Sequence, residues 1–87
     1  MLNTFSKRLK TMRVEAGVSQ SQLSKRLGYK SAQFVSNWER GLSYPPPRDV
    51  RKIADKIGAE YTVFSQLYID SKIKAAEDRL IKRLKRG

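Results

Sequence analysis

The sequence predicts an all-α fold, with four short helices followed by one long one. Three observations predict it. Gly17, Gly28, Gly41 and Gly58 each follow a segment of helical periodicity, where a left-handed residue closes a helix without steric penalty. Apolar residues recur at spacings of three and four, and no stretch alternates as a half-buried strand does. The final stretch, residues 59–86, contains neither Gly nor Pro.

The elements follow in order. The first helix is expected over about residues 4–16, capped by Asn3 or Thr4, with Phe5, Leu9 and Met12 as its apolar stripe. The second spans about 20–27 and carries the strongest local signal. Ser19 and Gln22 form a capping box, and Val18 is placed to pack on Leu23 as a hydrophobic staple. After a short turn at Tyr29, Lys30 and Ser31, the third helix covers about 32–40. Its Val35 and Trp38 are assigned to the core, and Gln33, Ser36, Asn37 and Arg40 to other faces.

Pro45, Pro46 and Pro47 impose an extended bend and make Pro47 or its neighbour the first residue of the fourth helix. Val50, Ile53, Ala54 and Ile57 are that helix's buried stripe. In the last segment Tyr61, Phe64, Leu67 and Tyr68 are expected to close the core. Beyond them Ile69, Ile73, Ala76, Leu80 and Leu84 recur at spacings of four, three, four and four. Residues 1–68 are therefore read as one functional domain, and 69–87 as a basic amphipathic C-terminal helix.

Composition removes several function classes. The 87 residues suit one domain with a modest core, too small for an enclosed substrate cavity. The chain contains no Cys and no His, which excludes disulfides, zinc-finger sites and His-activated nucleophiles. No two carboxylates form an obvious acid–base pair, so neither an enzyme nor a cofactor site is expected. Lys and Arg outnumber Asp and Glu by 19 to 8, a net charge of +11. That is the electrostatic footprint of a phosphate-binding protein, although an anionic membrane or solubility alone would also account for it. Met1 to Thr4 lack the apolar stretch of a signal peptide, and no run of about 18 apolar residues is present. A cytoplasmic location follows as the expectation.

The second and third helices, joined by a tight glycine-containing turn, have the form of a helix-turn-helix. In that arrangement the first helix crosses the DNA backbone, where its N-terminal amides and Gln20 can meet phosphate. The second enters the major groove. Gln33 suits an adenine edge because its amide both donates and accepts, Asn37 stands one turn later, and Ser36 is small enough for close approach.

Residues 19–45, from Ser19-Gln20 through Asn37-Trp38-Glu39-Arg40-Gly41 to Pro45, resemble the phage-repressor and Cro-type (XRE-like) helix-turn-helix family. The resemblance extends to about Ala59. It implies a four-to-five-helix repressor-like bundle, here with an extended C-terminal helix. It also implies a dimeric, nucleoid-associated transcription regulator that binds double-stranded DNA. By that resemblance Gln20 clamps a phosphate, Gln33 reads a base, and Glu39 pairs with Arg13 as a structural ion pair. The stretch from Gly28 to Val35 is one residue longer than in familiar members, which bears on Lys30, Ser31, Ala32 and Gln33. Ala32 is grouped with the base readers and Ser31 with the phosphate contacts. Leu42-Ser43-Tyr44 carries no cation where members often place one, so Lys30, Arg40 and Arg48 are the candidates to supply it.

Each reading has a blander counterpart. Gln33, Ser36 and Asn37 also fit a merely solvated face. Phe34 is expected in core or turn packing, with a thymine methyl contact as the alternative. Trp38 is assigned to the core and not to a single-strand stacking platform. The seam from Ile69 to Leu84 is a candidate dimer helix, and the alternative folds it back on its own core. Its basic end could also touch phosphates or lie on a membrane. Two rival functions remain: an antitoxin or similar module gripping a second protein through the C-terminal helix, and a membrane-surface protein.

Overall fold

The structure is a computed structural model that describes residues 4–86. Five helices follow one another: α1 (Thr4–Glu15), α2 (Gln20–Arg26), α3 (Gln33–Glu39), α4 (Pro47–Ile57) and α5 (Tyr61–Arg86). Among the described residues there is no strand.

Local causes account for most boundaries. Both arms of the α2 capping box form: the Gln22 amide donates to Ser19 Oγ at 3.0 Å, and the Ser19 amide donates to Gln22 Oε1 at 2.8 Å. Gly28 (φ +86°) and Gly41 (φ +75°) turn the chain before and after α3 in a region that residues with a Cβ avoid. Pro47 opens α4, where a missing amide hydrogen costs nothing. At the start of α5, Glu60 Oε2 accepts from the Val63 amide at 2.8 Å. Asn3, one of the two expected caps of α1, lies outside the described residues, and Thr4 is already helical. The orphan amide of Phe5 in that first turn is instead met from far along the chain, by Ser71 Oγ at 3.1 Å.

The core gathers one face of each helix: Phe5 and Leu9 from α1, Leu23 from α2, Val35 and Trp38 from α3, Ile53 and Ala54 from α4, Phe64 from α5. Burying each large apolar side chain contributes about 1.5–3 kcal/mol. The first half of α5 packs against α1 and α4. Tyr68 seals this contact, its hydroxyl donating to the carbonyl of the buried Pro45 at 2.7 Å.

Two expectations change. Tyr61 does not close the core; it stands exposed in the first turn of α5, where the Arg51 guanidinium covers its ring at 4.6 Å. Leu67 is half-buried at the rim. Of the two packings expected for Phe34, the structure shows the turn: it is 50% exposed and lies on the ring of Tyr29 at 4.7 Å.

The tail does not fold back. α5 continues without a break through the position between residues 68 and 69, and every residue from Ala76 to Arg86 is exposed. Ile69, Ile73, Leu80 and Leu84 of the seam are all exposed, Leu84 by 71%.

Candidate nucleic-acid interface

The position of α3 is fixed from behind by two constructions. The first is aromatic. Tyr29, in the turn, stacks against Phe34 and meets Trp38 edge-on at 5.9 Å. Its hydroxyl donates to Oδ2 of the buried Asp49 at 2.5 Å, tying the turn to α4. Burial, reinforced by the Asp49 carboxylate, raises the Tyr29 phenol above its ordinary range, so it remains a protonated donor at neutral pH.

The second construction is ionic. Arg13 at the end of α1 donates from Nε to Glu39 Oε2 at 2.5 Å and from Nη2 to Oε1 at 3.0 Å. Its remaining arm, Nη1, donates to the carbonyl of Val18 at 2.7 Å. Glu39 Oε1 also accepts from Gln20 Nε2 at 3.0 Å. One carboxylate thus joins α1, α2 and the end of α3. Both ions are buried and bidentate, which defines geometry more than it adds stability. Gln20 keeps one amide hydrogen and its oxygen free of this hub.

The outward face of α3 carries its own network. Gln33 Nε2 and Arg40 Nη2 each donate to Asn37 Oδ1 at 2.8 Å. Gln33 and Arg40 are exposed, while Ser36 and Asn37 are half-exposed. Gln33 retains an acceptor and a donor hydrogen, the pair that an adenine edge requires. Arg40, grouped from sequence with the phosphate contacts, therefore sits with Asn37 and Gln33. At the entry to α3, Ser31 Oγ accepts from the Gln33 amide at 3.3 Å, and Ala32 flanks the first turn without a side-chain cap. Lys30 is exposed beside them. Arg48 stands at the start of α4, largely in solvent, with its Nε 4.0 Å from Asp49.

Sequence reasoning passed over three groups that hold this site. Asp49 gave no signal beyond a common first-turn acid, and Tyr29 read only as a turn residue. Ser71 carried no assignment from sequence, yet its Oγ accepts from the Phe5 amide and its carbonyl accepts from the Tyr44 hydroxyl at 3.1 Å. It locks the loop after α3 onto α5.

Two helices in this relation, the second held rigidly from behind and displaying amide side chains in front, define a helix-turn-helix DNA-binding domain. The helix-turn-helix family model of the Cro/C1 (XRE-like) type matches residues 9–64, more than half of the chain. The chain belongs to that family of DNA-binding transcription regulators, which is generally non-enzymatic. No curated protein matches the chain. The family match ends in the first turn of α5, so the remainder of that helix lies outside it. No helix among the described residues is long and apolar enough to cross a membrane.

Proposed function

We propose that this protein is a sequence-specific regulator, a repressor from a phage or other mobile element, that binds an inverted-repeat operator as a homodimer. It acts in the cytoplasm, on the nucleoid. α3 enters the major groove, with Gln33, Ser36 and Asn37 reading base edges and Ala32 packing at the groove entrance. Gln20, Lys30, Ser31, Arg40 and Arg48 meet phosphates. Arg40 reaches the flanking phosphate while still bracing Asn37.

The single observation that carries this reading is the Gln33–Asn37–Arg40 network on a helix whose back is fixed by Glu39 and Trp38. Side chains already ordered before binding lose less entropy on binding. The exposed seam of α5 supports self-association, because Ile69, Ile73, Ala76, Leu80 and Leu84 leave an apolar stripe without cover. Two joined copies would set their α3 helices about 34 Å apart, one turn of duplex. The same seam favours a second reading, in which it grips a different protein, as an antitoxin grips its toxin; co-purification of a stoichiometric partner distinguishes the two.

The test is selection from randomised duplex DNA, followed by two variants on the selected site. Gln33→Ala should lose about 1–3 kcal/mol of discrimination at one base pair. Gln20→Ala should weaken all sequences alike. Equal losses across sequences for Gln33→Ala would remove its reading role, and selection of no site would remove the specific regulator.

A further inference from the structure

Behind the α3 exit, an open groove of about 670 Å³ runs between the start of α1, the loop Gly41–Tyr44 and the middle of α5. Its cations are Lys7 from α1 and Lys74, Arg79 and Lys82 from α5; the one acid is Asp78. The loop itself contributes Leu42, Ser43 and Tyr44, none of them charged. The groove is a built feature. Ser71 fixes both of its walls to α5, accepting from Phe5 on one side and from Tyr44 on the other. Tyr44 and Arg79 both line the groove, and the Arg79 charge partly offsets the rise that burial gives the Tyr44 phenol.

Two arguments identify the occupant. The first is charge: four cations against one carboxylate line an open trough, which suits a polyanion better than a neutral peptide. The second is continuity. The groove begins at Gly41, the residue after Arg40, which is itself bonded to Asn37 on the outward face of α3. From Ser71 to Lys82 the groove follows α5 for roughly 16 Å of helix axis. That length is enough to meet more than one phosphate of a strand. The α5 face involved is also opposite to the apolar seam: Lys74, Asp78 and Lys82 fall on one side and Ile73, Ala76 and Leu80 on the other.

We infer that the groove between the Gly41–Tyr44 loop and α5 is a second DNA-backbone site, holding the phosphates that flank the segment read by α3. The inference rests on the DNA-binding reading above. Lys74, Lys82 and Lys7 neutralise phosphates, and Asp78, four residues from both Lys74 and Lys82, tempers the groove's affinity. α5 then serves DNA on one face and a second copy on the other.

The test uses the full chain and a 24-base-pair duplex of random sequence, titrated by fluorescence anisotropy between about 50 and 200 mM salt. The variant K74Q/K82Q is compared with K52Q/K56Q, which removes the same charge from the exposed face of α4; circular dichroism verifies that both fold. K74Q/K82Q should reduce the slope of log K against log salt by about 1.8, while K52Q/K56Q leaves it unchanged. Asp78→Asn should tighten binding by up to about fivefold. Equal slopes for the two double variants overturn the groove and leave DNA binding by α3 standing. Absence of any salt-dependent binding by the unmodified chain removes the DNA reading and the groove together. A K74Q/K82Q loss seen only on phosphatidylserine vesicles, with the DNA slope intact, assigns the groove to a membrane surface and overturns the proposal.

Discussion

In the helix-turn-helix body, Leu23, Trp38, Ile53 and Phe64 meet in one core, and buried polar groups such as Glu39 and Asp49 have partners on other elements. From Ala76 to Arg86, by contrast, every residue is exposed. The helices α2 and α3 are only seven residues each, far too short to persist alone in water. They exist because tertiary contacts hold them. Among the described residues, none buries the distal half of α5, which relies on residues with high intrinsic helix propensity, Ala, Leu, Lys, Arg and Glu, propagated from a docked first half. Its basic last turn also complements the helix dipole. One region is specified by packing, and the other by propensity.

Substitutions should therefore act very differently in the two regions. The largest effect is expected at the hub. Glu39→Ala leaves the buried Arg13 guanidinium without its carboxylate and should cost about 3–5 kcal/mol in urea unfolding. A loss below about 1 kcal/mol would mean that the hub does not organise the body. In the tail, Ile73→Ser with Leu80→Ser should leave the unfolding of the monomeric body within about 0.5 kcal/mol, since both side chains are already exposed. Sedimentation should nevertheless change from dimer to monomer. A large loss of stability in the dilute monomer would erase the distinction between the regions.

The smallest effect lies where the two regions join. The Val63 amide, donating to the Glu60 carboxylate, lowers that group below the ordinary glutamate range. A lowered carboxylate contributes stability above its unfolded value, near 4.3, and loses it as pH falls through the folded value. Glu60→Gln should flatten that part of the acid loss of α5 helicity, followed by circular dichroism between pH 5 and 3. An unchanged acid profile would assign no role to the cap.

Features set by neighbours in the chain were legible in the sequence. The Ser19–Gln22 box, the glycine stops, the α4 stripe and the inward Val35–Trp38 face each need only three or four residues of context. The outward set Gln33, Ser36 and Asn37 was legible for the same reason. Ser71 reaches Phe5 across 66 positions, and Tyr68 reaches Pro45 across 23; a hydroxyl with such a partner looks, in sequence, like one in water. Tyr61 shows the converse error. It lies on the correct face of α5 but in the first turn, where Arg51, not the core, covers it. Arg40 was assigned by charge alone, and only the folded helix brings it to Asn37.

Ser71 has a mechanical consequence. From its place in α5 it accepts from α1 and from the loop after α3, and beyond it α5 has no glycine or proline. The tail is therefore a rod anchored through the docked first half of α5, where Phe64, Tyr68 and Ser71 hold it, without a joint between that anchor and its tip. Any force applied at the tip, by a second copy or by another protein, arrives as torque at the loop that follows α3. In a dimer joined along the rod, the tolerated operator spacing would be set by backbone stiffness and not by the chemistry of the seam.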